Sequence, residues 1–225
     1  MIIMSFESLQ NKIERKDNFA HELFKLDENQ LIDLKERIEK SNGLIRVFIH
    51  QDSISQTEYP KQALGIQKTA MSEVSPPIIF LEDCNYLDKF RKNIESIQGG
   101  LPNSVYFVET YPSFPYPIFP GSPMSHETKS FKEMSTEEQD GAIKGMRFLG
   151  HIFNILGVKK ILVGGANLNT DTPERLQECV GNFIELFNAY GEKFVFDIKV
   201  SSLTVPKNRQ DLRGLRDEFV YKRIE

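Results

Sequence analysis

The strongest constraint on what this chain can fold into is a set of short apolar runs of strand length: Leu44 to Ile49, Ile78 to Leu81, Val105 to Val108 and Lys160 to Val163. Runs that do not alternate apolar with polar are the pattern of strands buried on both faces, and such strands belong to parallel sheets covered by helices. Parallel neighbours need crossover segments, and helical patterns lie between the runs. Leu87, Phe90, Ile94 and Ile97 share one helix face over Tyr86 to Gln98, entered through Asp83 or Asn85 as a cap and stopped by Gly99-Gly100. Ser135-Thr136-Glu137-Glu138 has capping-box chemistry and opens a helix through Ile143, Met146, Leu149, Ile152 and Phe153 to Gly157. Thr172-Pro173 opens a third, with Leu176, Val180, Phe183, Ile184 and Phe187 as its buried face, ended by Tyr190-Gly191. Lys61 to Val74 is weakly helical, with Gly65 in its middle.

Phe194 to Val200 alternates more, which suits a fifth strand at an edge or half-covered position, and Phe219-Val220-Tyr221 in the charged tail is either a docking helix or an edge strand. These elements predict a three-layer α/β/α fold, Rossmann-like or flavodoxin-like, with a mainly parallel sheet of about five strands. Upstream, residues 5 to 41 carry helical spacing in two pieces, the second entered through Leu26-Asp27-Glu28-Asn29 and left through Ser41-Asn42-Gly43. The chain divides accordingly into an N-terminal helical extension, 1–43, packed as a cover on one face of the sheet, and a single α/β domain, 44–225.

Composition narrows the class of function. With 225 residues, 40% of them hydrophobic, the chain can bury one full core. A formal charge of −4 and a pI near 5.7 argue against a nucleic-acid partner, whose domains carry a basic excess. No segment approaches the roughly 18 apolar residues of a membrane span, and Met1-Ile2-Ile3-Met4-Ser5 is followed by charge rather than a signal core. Cys84 and Cys179 stand far apart in unlike contexts, as reduced thiols of a cytoplasmic protein do.

In an open parallel sheet, ligands bind along the rim formed by the carboxyl ends of the strands. Here each strand hands that rim a polar or permissive residue: His50 and Asp52, Glu82 and Asp83, Glu109, then Gly164, Gly165 and Asn167, with Asp197 inside the fifth strand. His50, Asp52, Glu82, Asp83 and Glu109 are the candidate catalytic set. They suit general acid/base work, in which a like-charged neighbour raises one carboxyl pKa, or Mg²⁺ or Mn²⁺ binding, because hard cations take oxygen ligands. Gly164, Gly165 and Asn167 are the candidate ligand-binding set, since bare backbone near a helix start approaches a phosphate or carboxylate closely. Each has a structural alternative as a cap, a turn glycine or a hydrogen-bonded rim residue.

Tyr111-Pro112-Ser113-Phe114-Pro115-Tyr116-Pro117-Ile118-Phe119-Pro120 is too rich in proline for helix or central strand. Its rings, Tyr111 and Phe114 first, either wall a pocket or lie flat on the domain as a long crossover. The outline Gly164, Cys179-Val180 and Gly191 also resembles the isochorismatase-type cysteine hydrolases over roughly 40 residues, and that resemblance implies an acid-Lys-Cys triad on a similar fold. Where the family's lysine follows a strand this chain has Glu109-Thr110, and Thr172-Pro173 starts the helix about two turns before Cys179, away from the dipole that lowers a thiol pKa.

The leading expectation is therefore a small-molecule hydrolase or transferase acting on a phosphorylated or nucleotide-like metabolite. The alternatives are a non-catalytic ligand-binding or protein-interaction domain on the same fold, with room for self-association into a homo-oligomer, and a relative of the cysteine hydrolases.

Overall fold

The computed structural model describes residues 23–50, 76–98, 104–112, 114–124, 127, 131–166, 180, 183, 184, 187, 189, 194–204 and 218–221. The expectations placed on 5–22, on 61–74, on Asp52, and on Asn167 through Cys179 lie outside the described residues.

Helix α1, Glu28–Lys40, leads into strand β1, Leu44–Ile49. Strand β2, Ile78–Asp83, is followed by α2, Leu87–Gln98, and β3, Val105–Thr110. A short 3₁₀ turn, Phe131–Glu133, precedes α3, Thr136–Ile155, and then come β4, Lys160–Ala166, β5, Val195–Thr204, and β6, Glu218–Tyr221. Among the described residues the strands form one six-stranded sheet in the order β3-β2-β1-β4-β5-β6. Strands β1 to β4 pair in parallel, as does β5 with β4, whereas β6 runs antiparallel along β5.

The helix caps form as the sequence dictates. Asp27 and Gln30 make a capping box at the start of α1, and Ser135 and Glu138 make another at α3. At the far end of α1 Asn42 and Gly43 are both left-handed, φ 56° and 81°, with Asn42 N–H donating to Glu39 and Gly43 N–H to Ile38 across 2.8 Å. This is the paired-bond helix stop, and asparagine tolerates the conformation better than other side chains. The carbonyl of Gly43 then accepts from Lys159 N–H at 2.8 Å, tying the entry of β1 to that of β4.

Register decides which side chain joins which core. Phe48, Phe80 and Phe107 are opposite one another on three neighbouring strands and pack with Ile78, Val105 and the α2 residues Leu87, Phe90 and Ile94. Phe80 and Phe90 meet edge to face at 4.9 Å, an arrangement worth about 0.5–1.5 kcal/mol beyond area burial. Ile45, Val47, Ile79, Val108, Ile161 and Val163 are in the other core, against Leu34 and Ile38 of α1, Met146 and Phe153 of α3, and the helical residues Val180, Phe183, Ile184 and Phe187. Each of the two clusters thus joins strand residues to helix residues, consistent with an α/β fold. Among the described residues no helix is long and apolar enough to cross a membrane.

The proline-aromatic segment folds back on the end of β3, where Tyr111 N–H donates to Tyr116 and Ile118 N–H to Glu109, each at 3.0 Å. It then lies against two glycines of α3. A Cβ on Gly145 would strike the Pro117 carbonyl, and one on Gly141 would come within 2.8 Å of the Tyr111 hydroxyl. Helix propensity favours alanine over glycine by about 1 kcal/mol, but overpacking against rigid backbone costs roughly 1–3 kcal/mol. Gly145→Ala is therefore expected to lower the urea unfolding free energy, and an unchanged or raised value would show that the loop does not press on α3.

Candidate functional site

The predicted rim residues fall into two groups. On the β2–β3 side, Glu82 and Glu109 are register partners and share one sheet face, while Asp83 and Thr110 are partners on the opposite face. His50 follows β1 with φ 48°, a left-handed conformation that departs from strand alternation, and its Nε2 is 2.9 Å from the Thr110 hydroxyl at the end of β3. On the β1–β4 side, Gly164 pairs with Phe48 and Gly165 with Ile49. Asp52 and Asn167 lie beyond the described residues.

The first group is dry. Glu82, Asp83, His50 and Thr110 are all buried, at 0%, 3%, 1% and 0% exposure. Asp83 serves as a turn cap, its Oδ1 accepting from Asn85 N–H at 2.8 Å, and Glu82 Oε1 accepts from the Asp83 N–H at 3.2 Å. Glu109 is the most open of these carboxylates, with 29% of its side chain exposed and its Oε2 held by Lys25 Nζ at 3.1 Å. Tyr111 is buried rather than displayed, and its hydroxyl donates to the Pro123 carbonyl at 3.3 Å. Phe114 is half-buried, its ring 5.5 Å from that of Tyr116. The segment that carries both rings packs against α3.

Burial sets the protonation states. Loss of water pushes His50 down from 6.5 to about 4, and a hydrogen bond to the Phe114 backbone works against the shift without reversing it. The imidazole is neutral and links β1, β3 and the aromatic loop. Cys84, half-buried at the end of β2, is pushed up to about 12, chiefly by burial and then by the charges of Asp83 and Glu109. It stands as a thiol, not as a thiolate nucleophile. Tyr111 is raised as well, again by burial first.

On the second side, Gly165 has φ 120°, and a Cβ there would strike the backbone of Ile49. Only glycine brings β4 this close to β1 at the rim. Among the described residues no group of three or more His, Cys, Asp and Glu side chains is placed to hold a metal ion. The participants that the sequence reading passed over are Thr110, which receives His50, and Lys25, which holds Glu109. Neither carries a sequence signal, because each meets its partner only through the sheet.

A cavity of about 470 Å³ opens away from this rim, along the outer edge of β3, lined by Phe24 to Asp27 and the start of α1 on one side and by Arg91 on the other. Comparison of the chain with protein-family models, with curated proteins and with solved structures gave no match.

Two measurements follow from the buried groups. Below its unfolded pKa near 6.5, His50 takes up a proton in the unfolded chain before it does in the folded one, so folding stability falls as pH drops from about 6.5 towards 4. The full loss from this one group is roughly 3 kcal/mol, and urea unfolding of His50→Gln across pH 4 to 7 is expected to lack that slope; a variant as acid-sensitive as the parent would assign the slope elsewhere. In a Cys179→Ser background, alkylation of Cys84 by iodoacetamide is expected to keep accelerating above pH 9, and Asp83→Asn to hasten it at pH 8. A rate that levels off near pH 8 would mean an ordinary thiol.

Proposed function

We propose that this chain is a small-molecule enzyme on a three-layer, Rossmann-like α/β fold, a hydrolase or transferase acting on a phosphorylated or nucleotide-like metabolite held beyond the carboxyl ends of β1 and β4. The observation that carries the reading is the strand order. From β1 the chain builds outward through β2 and β3 in one direction and through β4 and β5 in the other. Connections that diverge in this way leave a crevice between the two strands at the centre, which is where open α/β sheets take their ligands. Gly164 and Gly165 fall on that crevice, and neither carries a side chain to fill it.

In this reading the backbone at Gly164 and Gly165, with Asn167 just after β4, holds the anionic part of the ligand. Glu109, the most open rim carboxylate, is the acid/base group, with Glu82 beside it on the same sheet face. Mg²⁺ or Mn²⁺ would accompany a phosphate and offset its charge. A second reading, a non-catalytic binding protein on the same fold, is supported by the burial of His50, Glu82 and Asp83 beneath their own hydrogen bonds.

Thermal-shift titration with nucleotides and sugar phosphates, with and without Mg²⁺ and Mn²⁺, tests both. A ligand at about 100 times its Kd adds roughly 2.7 kcal/mol, several degrees in Tm. One ligand class is expected to give that shift, Asn167→Ala to lose most of it, and Glu109→Gln to keep it while turnover falls about a hundredfold or more. Binding without turnover would favour the second reading. No shift with any ligand would overturn both.

A further inference from the structure

We propose that the outer edge of β3 is a docking site for an extended peptide that carries a carboxylate, bound as an added strand with its acid group on Arg91. The inference stands apart from the rim and from the enzyme reading.

The register fixes which backbone groups are free to act. Ile78 N–H donates to Ser104 and Cys84 N–H to Thr110, so the even-numbered residues of β3 turn their backbone groups toward β2. Val105, Phe107 and Glu109 turn theirs outward. The chain itself pairs with this outward row at the C-terminal end, where Ile118 donates to the Glu109 carbonyl and Thr110 bridges Pro117 in antiparallel fashion. The row continues past that bridge as the N–H and C=O of Val105 and Phe107, about 6.6 Å apart along the strand. That is the repeat by which an extended peptide pairs with a sheet edge.

These groups open into the 470 Å³ cavity, and the walls define what enters it. Val105, Tyr106 and Phe107 are only 8%, 4% and 4% exposed, so the edge is recessed between Phe24 and Leu26 on one side and Arg91 on the other. A second copy of the sheet, flanked by its own helices, could not reach it. A single extended segment can.

Charge selects the segment. Each acidic side chain at the cavity already has a partner: Asp33 is held by Arg37 at 2.7 Å and by the Tyr106 hydroxyl at 3.2 Å, and Asp27 by the Gln30 N–H at 2.9 Å. Lys25 is engaged by Glu109. Among the described residues Arg91 is not balanced in this way. Its guanidinium carbon is 5.0 Å from the Phe107 ring centroid, and its Nε is buried without a hydrogen-bond partner. A guanidinium that keeps an unmatched donor beside open strand backbone suits a carboxylate arriving on a peptide.

The test uses the full chain, fluorescently labelled, on two sets of bead-bound random octapeptides, one ending in a free carboxylate and one in an amide. Hits are resynthesised for anisotropy titration against the parent, Arg91→Gln and Val105→Pro. The last removes an N–H that faces away from β2, a place where a sheet edge tolerates proline. Expected are hits whose affinity falls about tenfold or more in Arg91→Gln and in Val105→Pro, with slowed amide exchange at Val105 and Phe107 in the complex. Hits confined to the free-acid set assign the group to a peptide C-terminus; hits rich in Asp or Glu in both sets assign it to a side chain. Either outcome supports the proposal. It is overturned if neither set enriches, if hits are basic, if Arg91→Gln binds them as the parent does, or if sedimentation shows a dimer that Val105→Pro dissolves. Arg91→Gln decides the matter if Val105→Pro does not fold.

Discussion

Everything else in this molecule follows from the burial of β1 on both faces. Ile45, Val47 and Ile49 point into one core and Phe48 into the other, and neighbouring strands repeat the pattern in register. A strand without a solvent face cannot slip by one residue, because a slip would exchange the two cores and drive the Phe48, Phe80 and Phe107 stack against the wrong helices. Parallel pairing with β2 and β4 goes with that burial, and β1 to β5 all end on one rim, β6 alone among the described strands running the other way.

That rim inherits the dryness of the core beneath it. His50 just after β1, Glu82 and Asp83 at the end of β2 and Thr110 at the end of β3 continue strands that had no solvent face to begin with, and the aromatic loop meets His50 through the Phe114 backbone. Water is excluded before any ligand arrives, so ionisable groups there shift toward their neutral forms, the imidazole downward and the Cys84 thiol upward. Such a rim resists attack through cysteine but keeps its hydrogen bonds at full strength. The glycine pair on the other side differs in kind: it contributes close backbone approach and no titratable group.

Much of this was legible in the chain. The apolar runs of β1 to β4 announced two-sided burial, and Leu26-Asp27-Glu28-Asn29 and Ser135 with Glu138 announced their helix starts, although the part Gln30 plays at the first was seen only in the structure. What could not be read was whatever depends on contacts between distant segments. The positive φ at His50 leaves no trace in a run that looks like any strand end, yet it sends the ring to Thr110, sixty residues on. Proline and aromatic density marked 111–123 as neither helix nor strand, but its seat against Gly141 and Gly145, two glycines of another element, left no sign in the segment itself. The β3 edge was invisible for the same reason. Arg91 belongs to an amphipathic helix where one more cation reads as solvated surface, and only the fold sets it over Phe107.

Lys25 belongs to both regions, lining the edge cavity and holding Glu109 on the rim. That contact is the obvious route by which one region would sense the other, and its magnitude sets how far they are coupled. Lys25 is 55% exposed and Glu109 29%, and ion pairs this open contribute about 0–1 kcal/mol. Coupling carried by this contact is therefore at most a factor of roughly five in affinity, and it fades with salt. The backbone offers a stiffer connection, since the Glu109 carbonyl is bound by Ile118 at the point where the open edge ends. Because that bond closes the outward row of β3 without engaging the side chain of Glu109, the edge and the rim meet at one residue and use different atoms of it.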